Sequence, residues 1–185
     1  WGIGRWSTPP VSAIIDGRGM LVEAREGSDA WVETSYGFVH DTEHALLTSF
    51  PDSSAMEVTF RCDYDQLFDQ AGLFIHVDST HWIKAGVEFA DGRLQVGAVV
   101  TNERSDWSLA PVPEWSGKLV TIRASRKGDS VSIRAGAAGG GSVLIRLAPL
   151  DPASEASAGP FCCAPSRSGL TVRAFCSREG LKDGA

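Results

Sequence analysis

Every second position of the stretch 82–89 is apolar: Ile83, Ala85, Val87 and Phe89. The positions between them are Trp82, Lys84, Gly86 and Glu88. Alternation of this kind marks a strand with one dry face. The same period recurs over 20–24, 55–62, 71–77, 94–101, 119–125, 131–135, 143–147 and 170–175. Turn signals separate the runs: Asp16-Gly17, Asp91-Gly92, Lys127-Gly128-Asp129 and Gly139-Gly140-Gly141. No window holds a clean helical stripe. Short strands in this number predict an all-β fold of two antiparallel sheets, a sandwich or a barrel. Segment 136–142 reads as a hairpin tip and 149–160 as a crossover between sheets. Residues 1–179 read as one β-sandwich domain and 180–185 as a flexible C-terminal tail.

Turn chemistry fixes a register. A type I′ turn at Asp91-Gly92 pairs Phe89 with Leu94, Val87 with Val96, Ala85 with Ala98 and Ile83 with Val100. The other face then pairs Glu88 with Gln95, Gly86 with Gly97, Lys84 with Val99 and Trp82 with Thr101. An odd number of residues in the loop after Val77 keeps Leu73, Ile75 and Val77 on the dry face. It also brings Gln70, Gly72, Phe74 and His76 beside Trp82, Lys84 and Glu88. An even loop would set aliphatic side chains next to Lys84, so the odd loop is expected. Three glycines, Gly72, Gly86 and Gly97, fall in the middle and suggest a floor kept clear. Lys, Glu, Gln and Thr are ordinary on a wet sheet face. Trp82, Phe74 and His76 are not, so the row reads as the floor of a site, with rings packed under a loop as the alternative.

Composition narrows the partners. The chain has 185 residues and a formal net charge of -6. An acidic chain without a basic stripe repels phosphate backbones, so no nucleic acid is expected. No apolar run is long enough to span a bilayer, so no membrane is expected. No charged-then-apolar leader is legible, although a start at Trp1 reads as trimmed. Cys62, Cys162, Cys163 and Cys176 make a poor disulfide framework and read as reduced residues of a cytoplasmic protein. No metal or cofactor is implied. Cys162, Cys163 and Cys176 lack ligand spacing, and the flanks of His40 and His44 do not read as a helix. There is no nucleophile elbow and no phosphate loop.

The string DQAGLFIHVDSTHWIKAGVEFADG, followed by VVTNERSDWS, resembles a family of uncharacterised domains that includes the regulation-of-enolase proteins. TSYGFVHDTEH upstream resembles the family's T-x-YGF segment and its following histidine, here His44. Downstream, GPFCCAP and 169–175 resemble its last two strands. Phe68 stands where the family usually has tyrosine. The resemblance covers nearly the whole chain and implies a concanavalin A-like lectin/glucanase jelly roll. It also implies a concave sheet, which in related folds carries sugar sites or glycosidase carboxylates.

Three functions follow as expectations. The first is binding of a glycan or another small polar or aromatic molecule. Trp82, Trp107, Phe74, Tyr36 and Trp31 would supply ring faces. Gln70, Gln95, Thr101, Asp106 and His44 would supply polar contacts, with Lys84 and Glu88 at the centre. The second is an enzyme, such as an isomerase or cyclase or a glycosidase-like hydrolase, using Glu88, Lys84 and His76 as acid and base. Against hydrolysis, only Glu88 among the carboxylates of the central strands is expected on this face. The third is a regulatory protein-interaction module anchored by Trp82 and Trp107, or a homodimer through a sheet edge.

Overall fold

The turn at Asp91-Gly92 has φ of 52° and 72°, the positive values that a type I′ turn requires. In this computed structural model, which describes residues 4–17, 19–166 and 170–180, that turn joins the two longest neighbours of one sheet. Strands β9 (His81–Ala90) and β10 (Arg93–Asn102) pair in the expected register, from Phe89 opposite Leu94 to Trp82 opposite Thr101. Strand β8 (Gln70–Asp78) sets Gln70 against Glu88, Gly72 against Gly86, Phe74 against Lys84 and His76 against Trp82. A register shift between His76 and Asp78 absorbs the odd residue.

The remaining strands are β1 (Arg5–Trp6), β2 (Ser12–Asp16), β3 (Gly19–Glu23), β4 (Ala30–Val32), β5 (Val39–Asp41), β6 (His44–Ser49) and β7 (Ser54–Arg61). After β10 come β11 (Arg104–Pro111), β12 (Leu119–Lys127), β13 (Ser130–Ala137), β14 (Val143–Pro149), β15 (Ser157–Cys163) and β16 (Thr171–Gly180). A front sheet runs β1-β6-β15-β8-β9-β10-β11, and a back sheet runs β14-β13-β12-β7-β16-β3-β2. All neighbours pair antiparallel, which is the jelly-roll sandwich. Strands β4 and β5 form a separate hairpin. Among the described residues no helix is long and apolar enough to cross a membrane. Of the expected tail, Gly180 closes β16 and 181–185 lie outside the described residues.

Several strands were hidden from periodicity. The Ser105-Asp106-Trp107-Ser108 stretch, whose serines and aspartate mask its alternation, is part of β11. Strand β15 begins inside the segment that reads as crossover, and only 150–156 bridge the two sheets. Gly159-Pro160 disguised it, since proline is rare in a central strand. Pairing with β6 is interrupted there, resuming at Phe161 opposite Ala45. The crossover is pinned by buried Arg126, whose guanidinium donates to Phe50 O at 2.9 Å and to Ser154 O at 2.8 Å.

Between the sheets lies one apolar core. Leu73, Ile75, Ile83, Val87 and Val96 of the front sheet meet Val58, Phe60, Ile122, Ile133 and Val172 of the back. The glycine row has a different cause from the one its position suggests. A Cβ on Gly72 would lie 2.0 Å from Ala85 O, on Gly86 2.1 Å from Ala71 O, and on Gly97 2.0 Å from Ser108 O. Neighbouring strands, not a ligand, take that space.

Candidate functional site

The outer face of β8, β9 and β10 is covered at one end and open at the other. The β4–β5 hairpin lies over the covered end. It is fastened by Val32 N–H donating to Ser105 Oγ at 2.9 Å, with Ser105 hydroxyl 2.9 Å from Thr101 Oγ1. Beneath it Ala30, Trp31 and Val32 pack with Phe74, Trp82, Val99 and Phe161 in a second apolar cluster. Phe74 and Trp82 stack at 5.3 Å, and both are buried. The rings are costly to leave in water, and the chain covers them with its own hairpin.

At the open end a cleft of about 430 Å³ remains. Its floor carries Gln70, Lys84 and Glu88. Its walls are rings: Trp31, Tyr36 and Phe38 from the hairpin, Phe68 from the loop before β8, and Trp107 from β11. Tight backbone turns place the hairpin rings. Glu33 and Ser35 have φ of 55° and 66°, and Gly37 N–H donates to Glu33 O at 2.7 Å. Phe68 is also left-handed, at φ 65°, held by its N–H to Phe89 O at 2.7 Å. An aromatic residue in that region is strained, and such strain gathers at functional sites.

Asp29 is the cleft residue that the sequence did not reveal. Its Oδ1 lies 2.8 Å from Lys84 Nζ, and the two side chains are only 21% and 6% exposed. The same oxygen accepts from Ala30 N–H at 2.8 Å and from Gln70 Nε2 at 3.3 Å. Its backbone is held by Thr42, through Asp29 N–H to Oγ1 at 3.1 Å and Thr42 N–H to Asp29 O at 2.9 Å. No periodicity marks Asp29, which sits in a loop 55 residues from its partner. Burial works against the Lys84 ammonium, but Asp29, with help from Cys163 and Glu88, outweighs it and holds the lysine above its ordinary range.

Glu88 is in the opposite condition. Burial pushes its carboxyl up to about 7; Lys84 opposes the shift, Asp29 and Asp91 add to it, and a hydrogen bond from the Trp107 indole resists it. Glu88 Oε1 is buried with no hydrogen-bond partner among the described residues. The reason lies in its cross-strand neighbours. Gln70 gives its amide to Asp29 and Phe68 O, and Gln95 gives its own to Ala90 O and Asp91 Oδ2. A buried acceptor left in this way is costly unless something else reaches it.

Other residues expected in the site lie elsewhere. Phe74 and Trp82 are sealed under the hairpin, and Thr101 helps to anchor it. Gln95 is spent on the β9–β10 turn. His76 is half-buried beyond Phe74 and does not line the cleft. His44 is fully buried: its Nε2 accepts from Arg25 N–H at 2.9 Å and its Nδ1 lies 3.0 Å from Thr8 O. Both ring nitrogens are occupied, so the ring is structural. Asp106 and Trp107 cannot both rim the cleft, because β11 is a strand and alternates them. Asp106 turns away to Arg146 of the back sheet at 2.7 Å. Gln70, Tyr36, Trp107, Lys84 and Glu88 do line the cleft.

The fold and sequence have relatives. The chain is 33% identical over 169 residues to "Regulation of enolase protein 1" of Saccharomyces cerevisiae, covering 91% of this chain and 85% of that protein. The crystal structure of a functionally unknown protein from Saccharomyces cerevisiae superposes with a TM-score of 0.91, at 31% identity and 98% coverage of both chains. More distantly, a xylan beta-1,4-xylosidase from Bacillus halodurans matches with a TM-score of 0.72 at 12% identity, over 93% of this chain and 35% of that one. An alginate lyase from Klebsiella pneumoniae matches at 0.59 and 11%, over 91% and 84%. At such identities these last two share the jelly-roll sandwich alone. Residues 6–176 match the family described as "Protein of unknown function (DUF1349)", and the chain belongs to that family.

Proposed function

We propose that this chain is a binding module that holds a small polar molecule, glycans included, in the cleft between the β4–β5 hairpin and β11. One observation carries the reading: a buried carboxylate, Glu88, keeps a free acceptor at the floor of an aromatic-walled cleft. Ring faces suit apolar C–H surfaces, and few polar groups at the floor fix orientation. The distant fold neighbours named for xylan and alginate fit a ligand of that kind. A thermal-shift screen with sugars, polyols and small ions tests it. A bound ligand raises the melting temperature of the wild type, and Trp107→Ala removes the effect. No shift from any class at millimolar ligand would refute binding at this cleft.

A second reading is acid–base catalysis. It is favoured by a carboxyl held at about 7, beside Lys84 and a second carboxylate, Asp29, on the same cleft. Acids and bases tuned near neutrality are suited to proton transfer. Turnover of a cleft-bound molecule that Glu88→Gln abolishes without unfolding the chain would support it. Binding unchanged in composition over hours would exclude it for that ligand.

A further inference from the structure

The cleft holds one charge that the protein answers only in part: the Trp107 indole donates to Glu88 and Lys84 lies near it, but Oε1 is left over. Lys84 is matched by Asp29 at 2.8 Å. Glu88 is 8% exposed with Oε1 unpartnered, and among the described residues Lys84 is the one lysine or arginine in the lining. Around it the rings touch one another. Trp31 and Tyr36 lie 5.5 Å apart, and Tyr36 stacks on Phe38 at 5.5 Å. Trp107 meets Trp31 edge-on at 6.2 Å and Phe68 at 6.4 Å. Two of the polar groups at the wall and floor are already committed: Trp31 Nε1 donates to Thr34 O at 3.0 Å, and the Gln70 amide donates to Asp29 and Phe68. A ring of hydroxyls would lose its water here and gain few hydrogen bonds in return. An alkylated cation would not. Aromatic faces attract it through their quadrupoles, and a buried carboxylate balances its charge.

We propose that the ligand of this cleft is a small organic cation, an alkylated or quaternary ammonium, held among Trp31, Tyr36, Phe68 and Trp107 with Glu88 as its counter-ion. This rests on the binding reading above and narrows its ligand to one chemistry. The left-handed backbone of Phe68 fits the role, because that conformation stands the ring against Trp107.

Binding then requires Glu88 to be ionised. The groups facing it are Lys84 on its own strand, Asp29 before β4, Asp91 in the β9–β10 turn and Tyr64 before β8. Gln70, Gln95 and Trp107 flank it, and His40 stands in the cleft lining. Asp29 and Asp91 disfavour the anion and Lys84 favours it. A bound cation offsets the two aspartates, so affinity rises about tenfold between pH 6 and pH 8, with release of a proton.

Isothermal titration with tetramethylammonium, choline, the neutral isostere 3,3-dimethyl-1-butanol, and xylose separates the outcomes. The proposal expects choline to bind about tenfold or more tighter than its isostere. It also expects that preference to vanish in Glu88→Gln and affinity to fall in Trp107→Ala. If Glu88→Gln fails to fold, the pH 6 to pH 8 comparison on the wild type carries the same test. Equal binding of choline and isostere overturns the cation while leaving a binding cleft. Xylose binding without either ammonium overturns it in favour of a glycan. No heat or melting shift from any of the four overturns both this proposal and the reading beneath it.

Discussion

Replacing Asp29 by asparagine isolates the charge of the Lys84 partner. The amide keeps Oδ1 as acceptor for Ala30 N–H, for Gln70 and for the ammonium, so geometry is preserved and only the negative charge is lost. Lys84 is then a cation 6% exposed, with Glu88 as its remaining nearby carboxylate. Breaking a buried pair from one side costs roughly 3–5 kcal/mol, because the other charge is left uncompensated. Two features of the site bring the loss below that range, to about 2–3 kcal/mol: the retained hydrogen bond, and the 21% exposure of Asp29, through which water already screens the pair. For a chain of this length that is a fall of roughly 4–12 °C in melting temperature. Lys84→Met removes the buried cation itself. Asp29 keeps two donors and some water, so this variant loses about 1 kcal/mol or less. The double variant matches Lys84→Met, since without the ammonium the carboxylate is no longer needed. Urea unfolding of all four proteins measures the cycle. Additive losses, with the double variant equal to the sum within about 0.5 kcal/mol, would refute the coupling.

Glu88 makes stability depend on pH. Its folded carboxyl titrates at about 7 against an ordinary value of 4.5, so the folded chain holds the proton more tightly. That contribution is full below pH 4.5 and is lost as pH rises through 7. The loss is about 3 kcal/mol relative to Glu88→Gln, read as the difference between two pH–stability curves; parallel curves would show the carboxyl to be unperturbed. Phe68→Gly releases the left-handed strain, so stability changes by no more than about 1 kcal/mol while ligand affinity in the cleft falls. A stability loss above about 3 kcal/mol would make the ring a structural one. Trp82→Ala empties the second apolar cluster at a cost of about 3–5 kcal/mol by chemical denaturation. A variant as stable as the wild type would mean that the indole is not sealed by the hairpin.

The central strands were legible because their information is local. Period-two alternation sets which residues share a face, and Asp91-Gly92 sets the register by needing positive φ at neighbouring positions. Lys84, Glu88 and Gln70 therefore share one surface by that reasoning as they do in the structure, whereas Trp107 joins them through the pairing of β11 with β10. The short strands β1, β4 and β5 and the proline-broken β15 carry too few alternations to be read, and the resemblance, rather than periodicity, gave the jelly roll its name. What no window could contain is which part of that surface stays open. The β4–β5 hairpin comes from a distant part of the chain, buries Phe74 and Trp82, and delivers Asp29 to Lys84 across 55 residues. Periodicity decides where a side chain points; only the packing of distant segments decides whether water or another part of the chain meets it there.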